Sequence, residues 1–355
     1  MFSDVKFLFD NKISYLVYWV TQNCNATCAF CFNYEENTKK NNDLTLDEIE
    51  KVARSLTDLK YLTIGGGEPS LRKDLSDVVG KFAEYSRLRF CNIVMNGFRW
   101  RQILEHVERI CIAHPQMTLH VGLSIDFIGA NHNKHRRLEG CYDGCIRVIE
   151  GVKAMRSRFH NLHVGVGGTV TADNVDSIVA TGRHIMETYH VPYSITLIRG
   201  TVEDMSLKAV DARRYREIAS ELLSIESRVL PRAGFAAAAR FALEEASIDV
   251  IHRSIVTGAE QVPCQAGRKA LVLEAAGRLR LCETLDDDFG NVRDHGYDLP
   301  AMIGTESARA TVAQMRANKC HCTWECFNRA NVAFDPRQWP RVAALAARKL
   351  VTATA

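Results

Sequence analysis

Six short apolar runs, each followed by a helical pattern, constrain this chain more than any other feature. The runs are SYLVYWV (14–20), YLTIGG (61–66), CNIVMNG (91–97), LHVGLSID (119–126), LHVGVGGTV (162–170) and YSITLIRG (193–200). They are rich in Val, Ile and aromatic residues and bounded by Gly or Asn, which predicts strands. Between them the apolar period lengthens to that of a helix. In TLDEIEKVARSL, Thr45 and Glu48 have capping-box spacing, and Ile49, Val52, Ala53 and Leu56 recur at i, i+3, i+4 and i+7. Further helices are predicted to begin near residues 74, 99, 143, 174 and 211. Consecutive βα units predict an α/β fold with a parallel sheet and right-handed crossovers. A partial (β/α)6 TIM-type barrel and a doubly wound open sheet are the two candidates.

The chain has 355 residues, 46% hydrophobic and 25% charged, enough apolar material for one large domain or a large and a small one. A net charge of +3 gives no reason to expect a nucleic-acid or membrane-surface partner. The one strongly apolar run, ISYLVYWV (13–20), is too short to span a bilayer, and no small-residue cleavage site follows it. It reads as a buried strand, and the expected location is the cytoplasm. The expected organisation is a barrel over 13–225, a helical linker over 226–259, a Cys- and Gly-rich segment over 260–330 and a helical tail over 331–355. Within the third segment, KALVLEAAGRLRLCET places Gly277 between two apolar alternating runs, the pattern of a hairpin.

Twelve cysteines are many for a chain with no export signal, and a disulfide framework explains them poorly. Cys91, Cys111, Cys141 and Cys145 read as small buried hydrophobes. The other eight are Cys24, Cys28, Cys31, Cys264, Cys282, Cys320, Cys322 and Cys326. The first three form a C-x3-C-x2-C loop after the first strand, and strand C-terminal ends are where α/β folds place their chemistry. A zinc site would need a fourth ligand that is not nearby in sequence. A redox dithiol would leave the third thiol idle. An iron–sulfur cluster suits clustered thiolates, and three of them leave one iron of a [4Fe–4S] cluster open.

With the aromatic Phe30 just before its last cysteine, this loop resembles the signature of the radical S-adenosylmethionine (radical SAM) superfamily. The resemblance implies a cluster whose open iron is chelated by the amino and carboxylate groups of S-adenosylmethionine. GGGEP (65–69) strengthens it: Gly66, Gly67 and Glu68 match the family's GGE motif, which implies an acceptor for the methionine ammonium. A Gly-rich strand end also lets backbone approach a ligand closely. MNG brings Asn96 to the third strand end, and LSID brings Ser124 and Asp126 to the fourth, on one face by strand alternation. GGTVTADN leads to Asn174, and LIRG places Arg199 where the family often holds the SAM carboxylate. HNKHRR (132–137) resembles the region after the fourth strand in related enzymes, so that His132, His135, Arg136 and Arg137 would meet the carboxylate or the substrate. By composition alone the run reads as a solvated loop.

The string Cys264-x12-Gly277-x4-Cys282 resembles the opening of the SPASM or twitch domains of some radical SAM enzymes. CHCTWEC adds Cys320, Cys322 and Cys326. Five thiolates cannot fully ligate two clusters, so the resemblance implies one auxiliary [4Fe–4S] cluster. Its implied ligands are Cys264, Cys282, Cys326 and one of Cys320 and Cys322, with Trp324 as a shield against water. A zinc ribbon with His321 stays open as the alternative. Glu283 and Asp126 are the candidate catalytic residues, although Glu283 alone reads as a surface carboxylate.

The resemblance implies that a donor such as flavodoxin or ferredoxin reduces the first cluster, and that SAM is cleaved to methionine and a 5′-deoxyadenosyl radical. That radical takes hydrogen from a substrate carbon. The auxiliary cluster accepts an electron or anchors the substrate. Peptide or natural-product modification is the first expectation, and dehydrogenation or epimerisation of a sugar or aminocyclitol the second. Only 23 residues precede Cys24, too few for a peptide-recognition domain there, which moves weight toward the second. The molybdenum-cofactor enzyme of the superfamily fits less well, because its C-terminal cysteine spacing and Gly-Gly terminus are missing. A zinc or iron–sulfur binding module is the non-enzyme alternative.

Overall fold

A computed structural model describes residues 10, 12–35, 42–230 and 234–352. Residues 231–233 of the expected linker and 353–355 of the expected tail lie outside the described residues. In chain order the elements are β1 (Tyr15–Thr21), α1 (Leu46–Ser55), β2 (Tyr61–Gly66), α2 (Leu75–Tyr85), β3 (Phe90–Met95), α3 (Trp100–Ala113) and β4 (Thr118–Ser124). Then come α4 (Ala130–Arg136), α5 (Cys141–Met155), β5 (Leu162–Val170), α6 (Ile178–Tyr189), β6 (Tyr193–Leu197), α7 (Ala212–Val229) and α8 (Phe235–Thr257). The chain closes with β7 (Ala270–Leu273), β8 (Arg278–Arg280), β9 (Asp288–Asn291), α9 (Leu299–Ile303), α10 (Glu306–Ala317), α11 (Glu325–Phe334) and α12 (Trp339–Thr352). The fold is α/β, with the six strand–helix units of a partial (β/α)6 barrel. The capping box is formed: the Glu48 N–H donates to Thr45 Oγ1 at 3.3 Å and the Thr45 N–H to Glu48 Oε2 at 2.8 Å. Among the described residues no helix is long and apolar enough to cross a membrane.

The chain divides into two compact units. The first comprises residues 1–165, 200–204 and 266–313. Here β1 to β4 pair in sequence order, all parallel, with Tyr15 beside Tyr61, Tyr61 beside Phe90 and Phe90 beside Thr118. On the other side of β1 lies β7, also parallel, from Tyr15↔Ala270 to Tyr18↔Leu273. The hairpin read from the sequence is present as β7 and β8, antiparallel, with Gly277 at φ +89° in its turn. A left-handed backbone there favours glycine, and an added Cβ would stand 2.8 Å from Asn291 Oδ1.

The two faces of this sheet differ in chemistry. Leu16, Tyr18, Leu62, Ile64, Cys91, Ile93, Leu119 and Val121 are at most 1% exposed. They form the apolar layer against the helices, and Tyr18 meets Phe82 of α2 edge-on, with 6.1 Å between ring centroids. Each such side chain contributes about 1.5–3 kcal/mol by leaving water. The alternate residues, Thr63, Asn92 and His120, are half-buried, and Val94 is 37% exposed although its strand is an inner one. Gly65 and Gly122 stand on the same face, and a Cβ added at Gly65 would meet nothing within 4 Å. This face therefore offers room at Gly65, whereas a Cβ at Gly122 would already lie 3.2 Å from Asn92 Oδ1.

The second unit comprises residues 166–199, 205–265 and 314–355. Its strand pair is parallel, from Val166↔Tyr193 to Val170↔Leu197. The Ala-rich segment read as a linker contains α8, whose Ala246 and Val250 pack with Val262, Val332, Val342 and Leu345. Small side chains let helices approach closely: Ala238, Ala242 and Ala346 form a second apolar cluster.

Candidate active site

The cysteine loop is held by the end of β2. The Gly67 and Glu68 amides donate to the Thr21 and Asn23 carbonyls at 2.8 and 2.7 Å. Thr21 Oγ1 donates to Asp43 Oδ2 at 2.6 Å and anchors the start of the loop. An added Cβ at Gly67 would lie 2.0 Å from Asn23 O, and one at Gly66, whose φ is +117°, would lie 2.7 Å from Thr21 O. The sequence suggested that these glycines admit a ligand. The structure shows that they first admit the backbone of the cysteine loop itself.

Inside the loop the Cys31 N–H donates to Cys28 O at 3.1 Å, closing a tight turn. The Ala26 N–H points to Cys24 Sγ and the Asn33 N–H to Cys31 Sγ, both at 3.4 Å. Such bonds favour thiolate sulfur and tune the potential of a cluster. Burial pushes the Cys24 thiol up to about 11 and Cys28 up to about 12, while Arg136 pulls both down. Left alone, these thiols would hold their protons at neutral pH; a bound cation would deprotonate them. Among the described residues no three His, Cys, Asp or Glu side chains converge as they would on one metal ion. A [4Fe–4S] cluster does not require that, since each thiolate takes a different iron. Three soft sulfur donors with N–H···S bonds fit such a cluster.

Glu68 is 2% exposed and bridges two strand ends. Its Oε1 accepts from the Ser70 N–H at 3.1 Å and its Oε2 from the Asn96 N–H at 2.8 Å. Burial raises its pKa, and those hydrogen bonds oppose the rise. Asn96 Nδ2 donates to Asn25 Oδ1 at 2.7 Å, and the Phe98 N–H donates to Asn96 Oδ1 at 3.0 Å. Asn25 Nδ2 is buried without a hydrogen-bond partner, a donor beside Cys24 for a ligand oxygen. Cys145, read from the sequence as a small hydrophobe, donates from Sγ to Asn96 O at 3.2 Å. An added Cβ at Gly97, φ +80°, would come within 2.5 Å of that sulfur. No sequence signal announces this contact, because it joins a strand end to a helix 48 residues away.

HNKHRR is not a solvated loop. It lies mostly within α4, and His132 and Arg136 are buried. The cause is Asp126, 0% exposed, whose Oδ2 accepts from Arg136 Nε at 2.8 Å. Asp126 lies two residues past the end of β4, so strand alternation does not set its direction, unlike Ser124 at the last strand position. The Asp126 N–H donates to His132 Nδ1 at 3.1 Å, which makes the ring an acceptor there and places its proton on Nε2. Burial, with help from the Arg136 charge, pushes the His132 pKa down to about 3. Arg136 also lies over the Phe30 ring at 5.4 Å, and its carbonyl accepts from Cys28 Sγ at 3.6 Å. Phe30 stacks on His135, with 4.3 Å between centroids. Phe30, Asp126, Arg136 and Cys28 thus form one packed group; Arg137 points elsewhere, to Glu203 at 2.8 Å.

Glu283 is not a surface carboxylate. It is 9% exposed, and its Oε1 accepts from Trp19 Nε1 at 3.2 Å. Beside it, Cys282 is buried, with Sγ 3.5 Å from Thr284 Oγ1. Both belong to the first unit.

Cys264, Cys320, Cys322 and Cys326 belong to the second unit, and all four are half-buried. Asn328 Nδ2 donates to Cys322 O at 3.1 Å. Arg199 lies 3.8 Å from Glu325 Oε2 and 5.4 Å from the Trp324 ring, both beside the last cysteine. Glu325 Oε1 accepts from the Leu197 N–H at 2.8 Å and from Tyr215 Oη at 3.0 Å, and burial pushes its pKa up to about 7. Trp324 stacks on Phe327 at 3.9 Å. Asn174 is fully buried and serves its own turn, with Oδ1 accepting from the Thr171 N–H and Nδ2 donating to Thr169 O.

Comparison with known proteins adds three findings. Residues 18–179 match the radical SAM superfamily. Over 104 residues, 28% of this chain, it is 35% identical to the GTP 3′,8-cyclase of Pectobacterium atrosepticum, and the match spans about a third of that protein (32%). Among solved structures, native anSMEcpe with bound AdoMet aligns with 96% of this chain and 98% of its own, at 13% identity and TM-score 0.58. Streptococcus suis SuiB bound to precursor peptide SuiA aligns with 85% of this chain and 68% of its own, at 13% identity and TM-score 0.56. At these identities the structural likeness establishes a shared fold.

Proposed function

We propose that this chain, whose residues 18–179 match the radical SAM superfamily, is a radical SAM enzyme that modifies a peptide or related natural product at a carbon from which hydrogen is abstracted. The observation that carries the reading is the C-x3-C-x2-C loop fastened to the GGE strand end by the Gly67 and Glu68 amides. Cys24, Cys28 and Cys31 would hold a [4Fe–4S] cluster with one iron left for SAM. When bound, that cluster supplies the electron that splits SAM into methionine and the hydrogen-abstracting 5′-deoxyadenosyl group.

The chain's own residues bind and orient. The Glu68 carboxylate, already fixed by two backbone donors, accepts from the methionine ammonium. Asn25 Nδ2 offers a donor to a ligand oxygen, and Ser124 and Asn96 line neighbouring strand ends. Arg136 and Asp126 neutralise each other, and Arg136 packs on Phe30 within the cysteine loop. Below them, the face at Gly65 and the exposed Val94 has room for a substrate group, with Thr63, Asn92 and His120 as polar neighbours. Gathering the reactants in one place is the main service such a pocket renders.

Cys264, Cys282, Cys320, Cys322 and Cys326 are the ligand candidates for an auxiliary cluster; four of them lie in the second unit, as many as one closed [4Fe–4S] cluster takes. Electrons come from a small carrier such as flavodoxin or ferredoxin. A reducing cytoplasm suits these thiolates.

The peptide reading draws support from SuiB, whose fold this chain shares and which was solved with a precursor peptide bound. A small-molecule substrate is the second reading, favoured by the local identity to GTP 3′,8-cyclase. If the gene beside this one encodes a short peptide, co-expression with it, followed by mass spectrometry, separates them. A mass change in the peptide supports the first reading; an unmodified peptide alongside active SAM cleavage rejects it. Iron analysis of the anaerobic protein should find about eight irons per chain, four per cluster.

A further inference from the structure

Beside the cysteine loop lies a patch of exposed positive charge. Phe98 is 41% exposed, and Arg99, Arg101 and Arg147 are exposed. Arg101 lies 4.2 Å and Arg147 5.1 Å from the centre of the Trp100 ring, so two cations share one indole. Among the described residues none of the three arginines forms an ion pair. Glu105 and Asp143, one turn away on the same helices, are exposed and not within 4 Å of them. In the same unit Arg54, Arg72 and Arg293 are paired, with Glu50, Asp74 and Glu48. Arg99 and Arg101 also flank the start of α3, where a helix favours acidic residues, so local stability gives no reason for them.

The patch is packed against the turn after β3 and connected to the loop. An added Cβ at Gly144 would lie 2.5 Å from Gly97 O, so α5, which carries Arg147, is pressed against the turn that carries Phe98 and Arg99. From Phe98 the hydrogen bonds run inward through Asn96 to Asn25, the neighbour of Cys24.

We propose that Phe98, Arg99, Trp100, Arg101 and Arg147 are the docking surface for an acidic one-electron carrier protein of the flavodoxin type. The inference rests on the reading of the cysteine loop as a redox site. One electron would pass from the reduced flavin of the carrier to the cluster that Cys24, Cys28 and Cys31 would hold; the carrier would be oxidised by one electron and no atom transferred. Unpaired arginines complement an acidic surface, and the aromatic pair gives the encounter an apolar centre. Contacts of this kind are small, fast and salt-sensitive.

The test uses the full-length holoprotein, purified flavodoxin as the probe, and the exposed double variant Arg101→Glu/Arg147→Glu. By anaerobic titration calorimetry, wild type binds flavodoxin at low salt and loses affinity as salt is added, and the variant binds at least tenfold more weakly. Formation of 5′-deoxyadenosine driven by flavodoxin falls at least tenfold in the variant, while formation driven by dithionite is unchanged. Equal flavodoxin affinity in wild type and variant overturns the proposal. So does an equal loss with both reductants, as would binding of an acidic substrate peptide at this patch. The titration needs no turnover: if dithionite drives no SAM cleavage in wild type, the reading of the loop fails, while the binding result still decides the docking surface.

Discussion

Arg136 Nε stands 2.8 Å from Asp126 Oδ2, and the carboxylate is wholly out of water. This pair turns a run of basic residues into a packed helix and fastens it to the cysteine loop through Phe30 and Cys28. Removing one partner of a buried pair leaves the other charge uncompensated. Arg136→Ala should therefore destabilise the apoprotein by about 3–5 kcal/mol, and Asp126→Asn combined with Arg136→Met by much less. Urea unfolding of the three proteins measures this. Equal losses in the single and double variants would show that pairing is not what matters.

His132 sets a pH dependence. Its folded-state pKa of about 3 lies far below the ordinary histidine value, so the unfolded chain binds its proton first. The stability that neutral His132 contributes is complete above about pH 6.5 and falls as pH drops toward 3, by at most about 1.4 kcal/mol per pH unit. Between pH 6.5 and 5, above the main carboxylate range, wild type should lose stability more steeply than His132→Gln. Parallel curves would refute the assignment.

The glycines of the GGE strand end divide sharply. Gly67→Ala forces a Cβ to 2.0 Å from Asn23 O, so it should displace the cysteine loop. Reconstituted protein should then lose about four irons per chain, one cluster's content. Gly65→Ala meets open space and should keep its iron and its melting temperature. Iron analysis with circular dichroism distinguishes a lost site from a lost fold. Identical iron contents in the two variants would contradict the close-approach argument.

Much of this was legible in the chain. Each strand read from its apolar run is present, because Val, Ile and aromatic residues bounded by Gly or Asn are local signals. The capping box of α1 is equally local. What escaped is what distance in sequence creates. The short strand β7 pairs with β1 across about 250 residues, and four apolar residues carry no mark of their partner. The helix over Ala130–Arg136 owes its burial to Asp126, and Glu283 owes its own to Trp19 on the first strand. Composition suggested solvent for both, since a charged side chain shows no pairing until its partner is placed.

In the second unit Glu325 is the acceptor on which several groups depend. Glu325→Ala would leave the Leu197 N–H and the Tyr215 hydroxyl buried without a partner, at about 3 kcal/mol. Glu325→Gln keeps one acceptor oxygen and should lose about 1 kcal/mol. Thermal and chemical unfolding of both variants measures the difference; equal losses would remove Glu325 from this role.

The most direct test of the central claim is the product of SAM. Anaerobically reconstituted wild-type protein, given SAM and dithionite, should release 5′-deoxyadenosine and methionine, detected by liquid chromatography and mass spectrometry. The variant with Cys24, Cys28 and Cys31 all replaced by alanine should release neither. Formation of 5′-deoxyadenosine by that triple variant, or none by iron-loaded wild type, would contradict the assignment of this loop.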